Sequence, residues 1–318
     1  MLISKCIEGY FFDKTTTYSK KTLDAYHFVF NNLINFLGDK EITEVTPDDL
    51  KRYINWLRED YKPVRPSGDT SPLAPASVDL NWKGVRSLFH WANDELGVPR
   101  PDLKMPRPSF KRPHVQAFSE DEIRRLLKAC EYTVDKAHNG SSHVYRQRRP
   151  TAHRDKAFIL TLLDTGLRLG EALRLTIGDV NYETGEIIVA PFGTGKKTRP
   201  RVVLLGATSR RAVWLYVARL QNSDPSDRLF PMSPVSTRML LDRLGERAKV
   251  PNVHPHRFRH SFALWYLRNG GDIFTLQRLL GHGSLDMVNY YLDIERSDIA
   301  TAHKRASAID RWNKISPV

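Results

Sequence analysis

Five prolines fall between Pro99 and Pro113, inside the stretch "GVPRPDLKMPRPSFKRPHVQAFSEDE" that runs from Gly97 to Glu122. A prolyl ring removes an amide donor and fixes φ near −65°, so such a stretch cannot continue a helix and favours extended chain. It divides the 318 residues into two parts, each of ordinary domain size. The boundary falls near residues 100–115. Residues 1–105 are expected to form one domain, 106–115 a linker and 116–318 a second domain.

The first part reads as helix throughout. Leu2, Ile3, Cys6, Ile7, Tyr10 and Phe11 recur at helical spacing, as do Leu23, Tyr26, Phe30, Leu33, Ile34 and Leu37, and Gly38 stops the second run. "TPDDLKRYINWLRED" opens with an N-cap threonine, a proline at the first helical position and acids in the first turn. Val78, Trp82, Val85, Phe89 and Leu96 mark a fourth helix, after the polar loop "KPVRPSGDTSPLAP". The prediction is a small helical bundle with lysines and arginines on its outside.

The second part is mixed. "SEDEIRRLLKAC" starts with a capping box, Ser119 to Glu122. The basic stretch "HNGSSHVYRQRRPTAHRDK" reads as a loop. "AFILTLLDTGLRLGEALRL" reads as two helical segments broken at Gly166. "EIIVAP" and "RVVLL" are β-rich and flank "FGTGKKTRP", which suggests a hairpin with a basic tip; helices then return to the end. The expected fold class is mainly α with a small antiparallel β-sheet: a helical N-terminal domain and a mixed α+β C-terminal one.

Charge narrows the partner. Lysine and arginine total 49 against 36 acids, a net charge of +13. Such a surplus points to a polyanion, nucleic acid first and an anionic membrane surface second. The two cysteines, Cys6 and Cys130, make neither a disulfide framework nor a zinc cluster and fit a reducing compartment. The apolar run "AFILTLL" is far short of a membrane span, and "MLISKCIEGYFFDK" has no signal-peptide pattern. The expected location is the cytoplasm.

Three segments carry unusual polar groups. In "TGLRLGE", Arg168 and Glu171 stand three apart on one helix face, a spacing equally compatible with a surface ion pair. In "HPHRFRHSFALWYL", Pro255 sits where a helix begins, with His256 and Arg259 three apart. His256 and His260 have the spacing of zinc ligands, but Arg257 stands where the zinc-protease signature needs glutamate and Arg259 lies between them. Two guanidiniums repel a dication and suit an anion; histidines that merely cap or pack remain an alternative. In "GHGSLDMVNYYLDI", Ser284 can cap a helix whose buried stripe is Leu285, Val288 and Leu292. Tyr290 then points nearly opposite that stripe and Tyr291 lies on its flank, and spacing does not choose between them.

Taken together, two arginines, two histidines, a hairpin lysine and a tyrosine share one evident target, a phosphodiester. Guanidinium forks match phosphate oxygens and keep their charge. Fixed cations can stabilise a pentacoordinate phosphorus without a metal, and a tyrosine oxygen can serve as nucleophile. No carboxylate cluster suited to magnesium accompanies them, against a two-metal nuclease.

At these residues the chain resembles the tyrosine recombinases, the phage-integrase and Xer-type family, over essentially its whole length. "TGLRLGEALRL" is similar to the family's first box, with its arginine at Arg168 and its acidic helper at Glu171. "HPHRFRHSFA" resembles the His-x-x-Arg-His box, giving His256 and Arg259, with Phe258 where leucine is usual. "LLGHGSLDMVNYYLDI" resembles the last box: its histidine is His282 and the family nucleophile falls on Tyr291. Met287 and Val288 replace the usual threonines. The family hairpin reads Gly-Lys-Gly-x-Lys-x-Arg, whereas this chain has "GTGKKTR", with Thr194 at the first lysine; the later lysine falls on Lys197, and Lys196 stays open.

The resemblance implies a core-binding domain followed by a catalytic domain of the DNA breaking-rejoining type, here in the minimal two-domain form. It implies that Arg168 and Arg259 hold the scissile phosphate, Tyr291 forms a 3′-phosphotyrosyl link, and Lys197 protonates the leaving oxygen. His256 would assist proton transfer, His282 would bond the phosphate and Glu171 would orient the cationic groups. No metal, ATP or other cofactor is implied. The implied partner is double-stranded DNA carrying a specific site, bound by four copies of a chain that is monomeric when free, acting on two duplexes through a Holliday junction. Lys196, Arg199 and Arg201 at the hairpin, and Arg148 and Arg149 in the basic stretch, are expected DNA contacts. The tail "ERSDIATAHKRASAIDRW" would form a last helix that docks on a neighbouring subunit or packs on its own. Integration or excision of a mobile element is the expected role. A Xer-like chromosome or plasmid dimer resolvase, a catalytically silent DNA-binding homologue and a type IB topoisomerase are the alternatives.

Overall fold

The computed structural model describes residues 1–65, 68–109, 116–136, 144–191 and 200–281, without the side chains of 133–136 and 144–146. They belong to two compact units, Met1–Pro113 and His114–Val318.

Four helices build the first unit: α1 (Ile3–Lys14), α2 (Lys20–Leu37), α3 (Pro47–Glu59) and α4 (Pro75–Leu96). Each buries the stripe that its spacing predicts, among them Cys6 and Tyr10 from α1, Phe30 and Leu33 from α2, Tyr53 and Leu57 from α3, and Val85 and Phe89 from α4. The start of α3 is a complete capping box. Thr46 Oγ1 accepts from Asp49 N at 3.2 Å, and the Asp49 carboxylate accepts from Thr46 N at 3.0 Å. A hydrogen bond from Lys40, then the Thr46 amide, holds the Asp49 carboxyl well below the usual carboxylate range. Gly84 lets α4 approach α2, because a Cβ there would lie 2.7 Å from Val29 Cγ1.

The prolines are not all in extended chain. Pro101–Lys104 forms a 3₁₀ turn with proline at its first position, and Val98 and Met105 pack into the first core, so the seam's opening half completes this unit. Several surface cations are spent on buried acids: Asp79 pairs with Lys83 at 2.6 Å and Arg107 at 2.9 Å, and Asp102 with Arg100 at 2.7 Å. The guanidiniums of Arg86 and Arg107 lie 4.9 Å and 5.4 Å from the Trp82 ring.

The second unit begins with α5 (Glu120–Glu131), then β1 (Tyr132–Lys136) and β2 (Val144–Arg148). These two strands pair antiparallel, Tyr132 opposite Arg148 and Lys136 opposite Val144. The stretch read as a basic loop is therefore partly a strand. Its residues Val144 to Arg148 complete a pairing with "YTVDK", and it is the partner rather than hydrophobic alternation that makes it extended. α6 (Ala152–Thr165) follows, then the single turn α7 (Leu169–Ala172), β3 (Glu186–Val189) and β4 (Arg201–Leu204). α8 (Ala207–Val217), α9 (Pro234–Ala248), α10 (Pro255–Arg268) and α11 (Ile273–Leu280) complete the described part.

α6 is buried on most of its circumference and packs against α5, α8 and α10. β3 and β4 form an antiparallel pair with Val189 opposite Arg201 and Glu186 opposite Leu204. Ile187, Val189 and Val203 face the core, and Ile188, Val202 and Leu204 face outward, the alternation of a sheet with one covered face. The described part is thus mainly helical, with two small antiparallel pairs. Among the described residues no helix is long and apolar enough to cross a membrane.

Candidate active site

The site starts at a chain reversal. α6 ends on Gly166, whose φ of +60° is the left-handed conformation. A Cβ there would lie 2.3 Å from Phe262 Cδ1 and 2.9 Å from Leu280 Cδ2, so a side chain is excluded on two grounds. The reversal buries Leu167 and makes Arg168 the N-cap of α7.

Glu171, third residue of α7, reaches back to the cap. It accepts from Arg168 N at 2.8 Å and from Arg168 Nη1 at 3.1 Å. Arg201, first residue of β4, grips it from the other side, Nη1 to Oε1 at 3.1 Å and Nη2 to Oε2 at 2.7 Å. The Glu171 side chain is only 3% exposed. Burial opposes its ionisation, but the Arg201 hydrogen bonds and charge, followed by Arg168, outweigh it and bring the pKa down to about 2. Glu171 is therefore an ionised carboxylate at neutral pH.

The second organising feature is the carbonyl end of α11. The last helical carbonyls have no partner within the helix and carry the negative end of its dipole. Three arginines supply donors. Arg201 Nε donates to Leu279 O at 2.7 Å. Arg259 Nη2 donates to Leu280 O at 2.7 Å, and its Nη1 donates to Gly166 O at 2.7 Å. Arg168 Nη1 and Nη2 reach Leu280 O and Gly281 O, each at 3.5 Å. Arg168 and Arg259, 91 positions apart in sequence, thus bond one carbonyl oxygen. Arg259 is 4% exposed, whereas the Arg168 side chain is 34% exposed. Gly281 closes α11 in the left-handed conformation at φ +62°.

α10 brings the histidines. Its N-cap is His254, whose Nδ1 accepts from Arg257 N at 3.2 Å, and Pro255 takes the first helical position. His256, on the first turn, is exposed, and its ring centroid lies 6.3 Å from that of His260. Burial, then the neighbouring charges of His256, Arg259 and His254, lower the His260 pKa to about 4, so this ring is neutral near pH 7. Among the described residues no group of three or more His, Cys, Asp or Glu side chains gathers as a metal site, around these histidines or elsewhere. Arg257 faces the other way. Its Nη2 meets both Glu122 oxygens at 2.9 Å, Nη1 donates to Pro251 O at 2.6 Å, Nε donates to Gln116 O at 3.2 Å, and its Cζ lies 3.9 Å from the centre of the Phe118 ring.

Of the residues singled out in the sequence, Arg168, Glu171, Arg259 and His256 are therefore carried by the neighbouring α6–α7 reversal and α10. His282, Tyr290, Tyr291, Lys196, Lys197, Arg199 and the terminal tail lie outside the described residues. Two residues expected to contact DNA are engaged inside the protein. The Arg201 side chain is 7% exposed and committed to Glu171 and Leu279. Arg149, 14% exposed, pairs with the fully buried Asp155 at 3.0 Å, where Arg154 also bonds. Both guanidiniums compensate buried carboxylates and present little surface to a ligand. Arg148 is exposed, its Nη2 3.1 Å from His153 Nε2.

Comparison with known proteins gives the lineage. Residues 116–297 match the phage integrase family, and residues 12–96 match the phage integrase N-terminal SAM-like domain. Tyrosine recombinase XerA of Saccharolobus solfataricus is 26% identical over 287 residues, spanning 90% of this chain and 86% of that protein. Tyrosine recombinase XerC of Salmonella typhi is 32% identical over 253 residues, spanning 74% of this chain and 76% of that protein. The Tn1549 transposon integrase, solved in complex with transposon right end DNA, shares the fold with a TM-score of 0.73 at 17% identity, covering 97% of this chain and all of that one. A lambda integrase dimer bound to a core site does so with a TM-score of 0.66 at 16% identity, covering 100% of this chain and 99% of that one. With the family matching more than half of its length, the chain belongs to the phage integrase family, the tyrosine recombinases that cleave and rejoin DNA at specific sites.

Proposed function

We propose that this chain is a site-specific DNA recombinase that cuts and reseals duplex DNA through a covalent tyrosyl ester. One observation carries the reading: Arg168 and Arg259 converge on the Leu280 carbonyl, beside an ionised Glu171 that orients Arg168. Two guanidiniums so arranged can take the two non-bridging oxygens of one phosphate and stabilise the charge that grows on them. Tyr291 Oη attacks the phosphorus; the new P–O bond forms as the P–O5′ bond breaks, giving a 3′-phosphotyrosyl strand. Lys197, or Lys196 in its place, protonates the departing O5′, and His256 receives the phenolic proton. His282 bonds the phosphate. The 5′-hydroxyl of another cut strand then attacks the ester and frees the tyrosine. The covalent link conserves the bond energy, so the cycle uses no ATP and no metal.

The partner is double-stranded DNA with a target site, as in the complexes solved for the Tn1549 and lambda integrases. Four copies act on two duplexes through a Holliday junction, within the cytoplasm. Integration or excision of a mobile element is the role we favour. The XerA and XerC relatives support dimer resolution as the second reading.

A nicked duplex bearing the target site tests the chemistry. A covalent protein–DNA adduct is expected with EDTA present and is expected to vanish in Tyr291→Phe. No adduct on a verified site, or an adduct that survives that change, would refute the reading. Relaxation of supercoils without any site requirement would assign a type IB topoisomerase instead. Sequencing DNA trapped covalently in cells separates element ends from chromosomal resolution sites.

A further inference from the structure

Arg201, whose guanidinium grips Glu171, is left without a task by the proposed chemistry. It begins β4, four residues after Lys197, and three of its donors end on two other elements: Nη1 and Nη2 on the two Glu171 oxygens of α7, and Nε on Leu279 O of α11. Its side chain is almost wholly withdrawn from solvent. A Cβ on Gly281 would lie 3.0 Å from Arg201 Nη1, so the glycine that ends α11 packs directly against it. Burying such a pair costs desolvation that apolar residues of similar volume avoid, so its presence calls for a reason other than stability.

The connections supply that reason. Glu171, gripped through both oxygens, in turn holds the Arg168 amide and guanidinium. Leu279 lies in the last turn of α11, after which the chain passes to His282 and then Tyr291. We propose that Arg201 is a positioning residue: from the start of β4 it ties Glu171 to the end of α11, so that Arg168, which Glu171 holds, is fixed against the Leu280 carbonyl. It acts through these groups and does not touch DNA. A lysine at 201 keeps the charge but cannot grip two carboxylate oxygens and a carbonyl at once. The inference rests on the recombinase reading above.

The test compares wild type, Arg201→Lys, Arg201→Met and Glu171→Gln in single-turnover cleavage of the nicked site duplex, gel-shift affinity at several salt concentrations, and thermal unfolding. Loss of positioning is expected to slow cleavage about 10²-fold in Arg201→Met, with Arg201→Lys in between. Affinity is expected to stay within about twofold with an unchanged salt slope, whereas loss of a true phosphate contact lowers that slope by about one. The pH profile adds a readout that a merely structural role would not move. Arg201 from β4, and Arg168 and Arg174 from the α7 segment, are the charged groups acting on Glu171. Without Arg201, burial raises the Glu171 pKa, so Arg201→Met cleavage is expected to gain an acid limb that is missing when Glu171→Gln is added.

Cleavage by Arg201→Met at the wild-type rate overturns the proposal, as does a shallower salt slope or activity lost only in proportion to unfolded protein. If Arg201→Met does not fold, Arg201→Lys is judged by the same criteria. Failure of wild type itself to form an adduct defeats the recombinase reading instead.

Discussion

Glu122 and Glu171 occupy the same position in two helices and keep different company. Each is the third residue of its helix, and each accepts the N-cap amide at 2.8 Å, from Ser119 and from Arg168 respectively. Each is gripped through both oxygens by an arginine from elsewhere in the chain, Arg257 and Arg201. The caps differ. Ser119 Oγ returns the bond by accepting Glu122 N at 3.1 Å, and α5 runs for twelve residues. Arg168 has no acceptor to return, and α7 lasts four. One arrangement spends every group on holding the fold. The other gives up half of its cap and leaves a guanidinium one-third exposed. A helix-start rule is broken at the residue to which the proposed chemistry gives the phosphate.

That contrast can be broken at four points. The largest effect is expected for Arg168→Ser, which restores the cap and removes the guanidinium. Cleavage of the nicked duplex should fall by about 10³-fold, roughly 4 kcal/mol in the barrier. Stability should stay within about 1 kcal/mol of wild type because serine caps well. Surviving cleavage, or a collapse in melting temperature, would remove the distinction.

Arg257→Met is expected to do the reverse. It leaves Glu122 without its cation and should cost about 3 kcal/mol of stability, on the order of 10 °C in a unit of this size. Cleavage per folded molecule should hold. A normal melt combined with lost cleavage would place Arg257 in the chemistry.

The third point is pH. The folded pKa of Glu171, about 2, lies below the ordinary 4.5, so its contribution is fully present above about pH 4.5 and is lost as pH falls toward 2. A depression of about two and a half units corresponds to on the order of 3 kcal/mol. Urea midpoints measured from neutral pH down to acid should fall less steeply in Glu171→Gln than in wild type. Parallel slopes would mean that the folded structure does not depress this carboxyl. The smallest effect is Ser119→Ala, expected to cost about 1 kcal/mol in a urea melt with cleavage unchanged.

Elements whose signals are local were legible in the chain. Thr46 and Ser119 cap the helices that they precede, and Gly166 and Gly281 end the helices that they follow, because capping depends on residues within one turn. The β3–β4 pair was legible from two β-rich runs flanking a glycine-containing tip. β2 was not: Arg146, Gln147 and Arg148 read as solvated loop, and the strand is set by pairing with residues 132–136. The resemblance, not spacing alone, singled out Arg168, Glu171 and Arg259. It assigned Arg149 and Arg201 to DNA because a basic residue in sequence gives no sign of which buried acid will meet it. Asp155 is six positions from Arg149, and Glu171 is thirty from Arg201, across a strand pair. A buried acid in need of a second cation was the only available hint, and it does not name the donor.

The two guanidiniums on Leu280 are unequal in their freedom. Arg259 is fixed by two short bonds inside the protein, while Arg168 reaches its carbonyls at the outer limit of hydrogen-bond length. Under the recombinase reading, a tetrahedral anion arriving between them would meet one jaw fixed by two carbonyls and one held by Glu171, whose own carbonyl bonds are long enough to exchange for the anion. On that reading, the vice would tighten as phosphorus changes shape by trading the long Arg168 carbonyl bonds for bonds to the anion.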